Sequence, residues 1–258
     1  MFCIFVNMNS MLWMCAAGLG LSSLLGSLIG LGLRRIPHKA NDLLLGLCGG
    51  MMLTAAIVCL LMPAVEAVGV MGLWQPLAGV VGGVALVGVL ARITPHLHTL
   101  SGVDPESHAN NHSIDKVLLF VAAIALHKFP EGLATGIAFY EGNPGNSLAI
   151  TIAIALQNIP EGLVVVTPLL VVGVKMPRVS AIALTVAMIE VGGMLLGHWL
   201  GTLSALMLPS LLGVAGGAML YIISDEIIPE THSHGYQSAA TYALVAGVLI
   251  MLVIERLV

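Results

Sequence analysis

The sequence predicts an all-helical, polytopic membrane protein, and its composition and its long apolar runs carry that prediction. Of the 258 residues, 58% are hydrophobic and 9% are charged, whereas a soluble domain would have roughly a quarter of its residues charged. The apolar runs lack the alternation of apolar and polar residues that a membrane β-barrel needs. Glycine pairs at four-residue spacing, such as Gly26/Gly30 and Gly79/Gly83, favour closely packed membrane helices.

Eight apolar segments are long enough to cross a bilayer as helices. They lie at about 11–33, 43–67, 76–97, 116–139, 146–170, 179–201, 206–229 and 238–257. Because these segments fill most of the chain, we predict a single transmembrane domain over residues 1–258.

Basic residues in the loops predict how this domain is oriented. Lys and Arg lie in or beside the loops after the first, third and fifth segments, at Arg34, Arg35, Lys39, Arg92, Lys116, Lys175 and Arg178. The loops at the opposite ends contain none, and only Arg256 departs from the pattern. Cytoplasmic loops carry the excess of Lys and Arg. We therefore expect the basic loops in the cytoplasm and both chain termini outside.

One six-residue pattern occurs twice within these segments. It reads His-Lys-Phe-Pro-Glu-Gly at 127–132 and Gln-Asn-Ile-Pro-Glu-Gly at 157–162. The four-residue spacing puts His127 with Glu131, and Gln157 with Glu161, on one face of each helix. The proline in each copy also leaves a backbone carbonyl unpaired one turn upstream. The two helices thus offer the ligands of a cation site in the middle of the membrane.

Glu190 adds a third carboxylate, at the middle of the sixth segment. A charged side chain at this depth costs about 3 kcal/mol or more, so a shared cation explains three of them economically. The alternative is that the glutamates are protonated or hydrogen-bonded packing residues. Lys128 stands near the same face as Glu131. Its ammonium group either occupies the position where a second metal ion would bind, or it balances the charge of Glu131 or Glu190. Both interpretations predict one bound metal ion.

Further polar groups stand at the ends of the apolar segments. The seventh segment ends at the predicted cytoplasmic face with Asp225, Glu226, Glu230, His232 and His234, and Glu66 ends the second segment at the other face. They are candidate exit and entrance groups, although polar residues also belong at helix ends. The loop at about 98–115 carries histidines, His98, His108 and His112, just after His96. Such a tract either binds metal weakly or is a solvated linker.

Together these motifs resemble the ZIP family of metal transporters. The paired repeats carry the resemblance, and the Gln-Asn-Ile-Pro-Glu-Gly and Ser-Asp-Glu-Ile-Ile-Pro-Glu-Thr-His segments are similar to the bacterial GufA-like branch. The resemblance implies a bundle of 3+2+3 helices that takes up a divalent transition metal, typically zinc, between helices 4 and 5. It implies that the primary ligands are His127, Glu131, Gln157 and Glu161, and that a neighbouring second site involves the Lys128 and Asn158 positions with Glu190. Many relatives carry Asn at the position of Lys128.

The functional prediction is therefore a transporter that moves zinc, or iron, manganese, cobalt or cadmium, into the cytoplasm. Carboxylate, imidazole and amide ligands suit such ions. An intramembrane metalloenzyme is one alternative, but the His-Glu-x-x-His pattern is absent from the chain. A proton-conducting carrier that uses the same glutamates is the other. We expect no enzyme activity, no resident cofactor and no nucleic-acid partner. The protein is expected in a bacterial cytoplasmic membrane, with a homodimer left open.

Overall fold

Every regular element in the described part of the chain is a helix. The computed structural model describes residues 8–33, 36–93, 128–139, 144–171, 173–203 and 205–257. The helices are α1 (Met8–Leu33), α2 (His38–Glu66), α3 (Trp74–Ile93), α4 (described over 128–139), α5 (Pro144–Val171), α6 (Met176–Leu203), α7 (Leu208–Thr231) and α8 (Gln237–Leu257).

Seven of these helices, all except α4, contain a stretch long and apolar enough to cross a membrane. Every regular element in the described ranges is a helix, and seven of the helices could cross a membrane. These two findings confirm the predicted class, an all-helical polytopic membrane protein. α2 begins at His38, ahead of the apolar segment predicted from about 43, because Pro37 stands extended at its start with φ −57° and ψ 142°. Its first turns are polar, so an apolar run could not reveal them.

Two helices contain a π-helical stretch, in which backbone hydrogen bonds span one residue more than in an α-helix. The stretch covers Ala55–Leu61 in α2 and Ile223–Ile227 in α7. A proline follows each stretch closely, at Pro63 and Pro229. Proline removes a backbone donor from the helix, so both helices depart from regular hydrogen bonding on the way to their polar ends.

The glycines bring the helices close together in pairs. A Cβ atom on Gly79 of α3 would meet the Ser210 carbonyl of α7, and one on Gly50 of α2 would meet the Leu244 carbonyl of α8. Small residues permit this backbone approach between membrane helices. The predicted Gly79/Gly83 pair therefore faces α7 rather than lipid, since a Cβ on Gly83 would meet Val214.

The glycine that ends each six-residue repeat has the same role. A Cβ on Gly132 of α4 would meet the Glu190 carbonyl of α6, and one on Gly162 of α5 would meet the Ser23 carbonyl of α1. α4 thus packs against α6, and α5 against α1, at the level of the repeats. Residues 130–139 of α4 are all buried. The described polar residues of both repeats are buried as well.

Two adjacent glycines on α6 provide a direct test of this packing. A Cβ on Gly193 would stand 2.5 Å from the Phe129 carbonyl of α4, whereas one on Gly192 would meet nothing within 4 Å. We expect Gly193→Ala to destabilise the protein by about 1–3 kcal/mol through overpacking. Gly192→Ala should be neutral or stabilising by up to about 1 kcal/mol, as alanine favours helix. Thermal unfolding of the two purified variants compares them, and equal shifts in the midpoint would contradict the packing.

Candidate metal site

The described polar residues of the two repeats meet in the interior between α1, α4, α5 and α6. Lys128, Glu131, Gln157 and Asn158 are all 0% exposed, and so is Glu190; Glu161 is 5% exposed. Burial of an ionised group is costly unless it is paired. The contacts among these side chains therefore decide what the site can hold. His127 lies outside the described residues.

The ammonium group of Lys128 lies at the centre of this cluster. Its Nζ donates a hydrogen bond to Glu131 Oε2 at 2.8 Å. It also forms an ion pair with Glu161 and donates a hydrogen bond to Asn158 Oδ1. The predicted pairing with Glu131 is thus present. The second carboxylate partner is Glu161 instead of Glu190, because the Asn158 amide lies between the ammonium and Glu190.

Two amide side chains of α5 extend the network to the neighbouring helices. Gln157 Nε2 donates to Glu131 Oε1 of α4 at 2.8 Å. Asn158 Nδ2 donates to Glu190 Oε1 of α6 at 2.7 Å and to Ser22 Oγ of α1 at 3.2 Å. Nothing in the sequence marked Ser22 as part of this cluster, because its place there depends on the packing of α1 against α5.

Several oxygen atoms of this cluster are left without a donor. Gln157 Oε1, Glu161 Oε1 and Glu190 Oε2 are buried and accept no hydrogen bond from any residue that the structure describes. Buried polar atoms are normally paired, so these are free to coordinate a cation. The three glutamates and Lys128 carry a formal charge of minus two when all four are ionised, which matches one divalent ion.

In the arrangement seen here, the acidic groups do not yet converge on a common point. Within the described ranges, no three His, Cys, Asp or Glu side chains form a group with the geometry of a metal site. The reason is visible in the contacts: Lys128 lies between Glu131 and Glu161. A metal that uses both carboxylates must therefore displace the ammonium group.

Most of the predicted exit group does not come together in the structure. His232 donates from Nδ1 to the Ile228 carbonyl at 2.8 Å, within its own helix end. Asp225 is exposed beside a pocket of about 480 Å³, lined by Leu53, Val84 and Tyr221 among others. Glu230 is half-buried and forms no described contact with His234, and the Glu226 side chain lies outside the described residues. The described side chains among these polar groups therefore do not form one cluster at the end of α7.

His234 joins two residues that the sequence analysis missed. Its Nδ1 lies 3.0 Å from Asp42 Oδ1, and its ring stacks on that of His38 with centroids 4.6 Å apart. Asp42 is 0% exposed, and its Oδ2 accepts no hydrogen bond from the described residues. The four-residue spacing of His38 and Asp42 on α2 was visible in the sequence. Their contact with His234, nearly two hundred residues later, could not be predicted from a local pattern.

The remaining candidates stand apart from these two clusters. Glu66 is exposed at the end of α2. The loop histidines His96, His98, His108 and His112 lie outside the described residues. Cys48 of α2, which is fully buried, contacts the Gln157 carbonyl through its sulfur at 3.8 Å. α2 therefore passes directly beside the central cluster, and its first two turns contain the His38 and Asp42 pair.

Comparison with known proteins assigns a family to this arrangement. The family model described as "ZIP Zinc transporter" matches residues 94–255, more than half of the chain. The chain is 38% identical to "Zinc transporter ZIPB" of Bordetella bronchiseptica, over 93% of this chain and 78% of that protein. It is 39% identical to "Zinc transporter GufA" of Myxococcus xanthus, over 93% and 98% of the two chains. A "Zinc transporter ZupT" of Chlorobium chlorochromatii is 31% identical over 90% and 91%.

Proposed function

The chain belongs to the ZIP zinc transporter family, and on that premise we propose that it carries zinc or a related divalent metal ion across the membrane into the cytoplasm. The resemblance to the GufA-like branch is confirmed by the match to the protein of Myxococcus xanthus. Because the family is one of transporters, the prediction that the chain is not an enzyme is confirmed as well.

One observation gives the strongest support to a transport site between α4 and α5. Gln157 Oε1 and Glu161 Oε1 are buried in the cluster without a donor from the described residues. A cation that approaches these oxygens gains ligands without breaking a hydrogen bond to either atom. Glu131 and Glu161 would supply its charge and Gln157 a neutral oxygen. His127, one turn before Glu131, would supply the nitrogen ligand.

This ligand set suits an ion that must bind and then leave. Two carboxylates, an amide and an imidazole fit zinc, iron, manganese, cobalt and cadmium, and they contain no thiolate that would hold a soft ion tightly. Passage through a membrane requires binding that favours entry without preventing release. Helices α4 and α5 would expose the site to each side of the membrane in turn, as in other secondary transporters.

We propose that the ion leaves toward the end of α2 that carries His38. Asp42 stands six residues before Cys48, so it lies about 9 Å along α2 from the level of Gln157 at 1.5 Å per residue. Its Oδ2 atom, which has no partner among the described residues, and the nearby His234 imidazole offer the next ligands on that path. The other exit candidates are Asp225, Glu226, Glu230 and His232, and Glu66 is the entrance candidate.

The remaining parts of the proposal concern the setting of the site. The distribution of Lys and Arg favours both termini outside and the His38 end of α2 in the cytoplasm. We propose a 3+2+3 grouping of the eight helices in a bacterial cytoplasmic membrane, with His96, His98, His108 and His112 as an accessory metal-binding loop. A homodimer would leave the site within each chain, since the described ligands come from one chain.

Uptake by vesicles that contain the purified protein tests this function. Zinc, iron, manganese, cobalt and cadmium are supplied in turn outside, and the metal trapped inside is measured. We expect saturable uptake of zinc that exceeds the leak of empty vesicles. A protein that conducts protons but traps none of the five metals would contradict metal transport and favour a proton carrier that uses the same glutamates.

A further inference from the structure

Lys128 occupies one oxygen atom of each of the two carboxylates that a transported ion needs. Its Nζ contacts Glu131 and Glu161, the two charged members of the proposed ligand set. A divalent ion and an ammonium group on the same two carboxylates would repel each other in a buried environment, where charges interact strongly. The ammonium group must therefore move aside whenever the metal binds there.

Among the described residues, one carboxylate can receive it. Glu190 is fully buried, and its Oε2 accepts no hydrogen bond from the described residues. Asn158 bridges the two positions, since its Oδ1 accepts from Lys128 while its Nδ2 donates to Glu190 Oε1. The ammonium group and Glu190 are thus separated by a single amide group.

We propose that Lys128 is a tethered cation that changes partners during transport, an inference that rests on the proposed function. Without metal, its ammonium pairs with Glu131 and Glu161. When a divalent ion takes those two carboxylates, the ammonium pairs with Glu190. When the ion leaves, the ammonium returns. Lys128 thereby competes for the metal's ligands from within the protein and favours release of the ion.

The charges of the four residues balance in the loaded state. The divalent ion neutralises Glu131 and Glu161, and the ammonium group neutralises Glu190. Unpaired buried charges are strongly unfavourable, so the charge of each carboxylate needs a positive charge to balance it. A monovalent ion would leave one negative charge unbalanced, and a second divalent ion would add two positive charges. The exchange of partners therefore favours a single divalent ion.

A double-mutant cycle on metal binding tests the exchange. Equilibrium zinc affinity is measured, without transport, for the purified wild type, Lys128→Met, Glu190→Gln and the double variant. In the wild type, the loaded state holds Lys128 on Glu190, so its removal should improve affinity by less than about tenfold. With Glu190→Gln, the ammonium has no other carboxylate and keeps competing. In the Glu190→Gln background, the gain in zinc affinity from Lys128→Met should therefore be at least about tenfold larger than the gain in the wild type.

Two controls separate this coupling from general charge effects. Lys175→Met removes an exposed lysine in the loop before α6, and Glu255→Gln removes a carboxylate of α8; neither should change zinc affinity by more than about threefold. A crystal structure of the zinc- or cadmium-loaded wild type adds a second readout, with Lys128 Nζ expected at hydrogen-bond distance from Glu190 Oε2.

The possible outcomes distinguish this inference from the proposed function. Saturable zinc binding with the same gain from Lys128→Met in both backgrounds, or a loaded structure that keeps Lys128 on Glu161, would overturn the exchange of partners alone. Absence of saturable zinc binding in the wild type would contradict the proposed function and the inference with it. If Lys128→Met fails to fold, two measurements still test the exchange of partners. One is the zinc-loaded wild-type structure, and the other is the zinc affinity of Glu190→Gln, which we expect to be at least about tenfold weaker than that of the wild type.

Discussion

Replacing Glu161 by alanine is expected to abolish metal uptake, and Glu131→Ala should do the same. Each change removes half of the negative charge that the proposed ligand set offers to a divalent ion. Truncation of one partner of a buried, charged contact costs about 2–5 kcal/mol. At about 1.4 kcal/mol per tenfold, metal affinity should fall between roughly 30-fold and more than 1000-fold.

Vesicle uptake with matched protein content measures this loss. Glu255→Ala serves as the control, because it removes a glutamate of α8 that lies outside the central cluster. Gln157→Ala should reduce uptake less than either glutamate variant, since a neutral amide contributes a dipole instead of a charge. Wild-type uptake by Glu161→Ala would show that the site has been misplaced.

Lys128→Asn should change the number of metal ions that the protein binds. The variant carries the residue that the family resemblance gives to many relatives, and it removes the one ammonium group among the described residues of the cluster. Three carboxylates then remain with no internal cation. We expect a second divalent ion beside Asn158 and Glu190, with uptake retained.

Elemental analysis of purified protein gives the number of bound ions per chain. The expected change is from one ion in the wild type to two in Lys128→Asn at saturating zinc. Lys175→Asn is the matched control and should bind the same number as the wild type. One ion in both Lys128→Asn and the wild type would mean that something other than the ammonium group limits the site.

The repeated motif could be interpreted from the sequence because its geometry is local. The four-residue spacing of Gln157 and Glu161 fixes their shared face in any helix. The class of protein was equally accessible, since hydrocarbon imposes long apolar helices. Both inferences needed only the periodicity of one segment and the physics of the solvent around it.

Contacts between segments were not accessible in the same way. The pairing of Lys128 with Glu161 depends on how α4 meets α5, and the hydrogen bond from Asn158 to Ser22 depends on how α5 meets α1. Asp42 and His234 meet across most of the chain. The role of Gly132 belongs to this group too, since its lack of a side chain matters only against the Glu190 backbone.

A count of the ions between α4, α5 and α6 in the wild type tests the single-metal site most directly. Crystals of the protein loaded with zinc or cadmium, measured by anomalous diffraction, would locate each ion. We predict one ion, held by Glu131, Gln157 and Glu161, with the Lys128 side chain on the Glu190 side of it. Two fully occupied sites between these helices, with Lys128 in place, would contradict it.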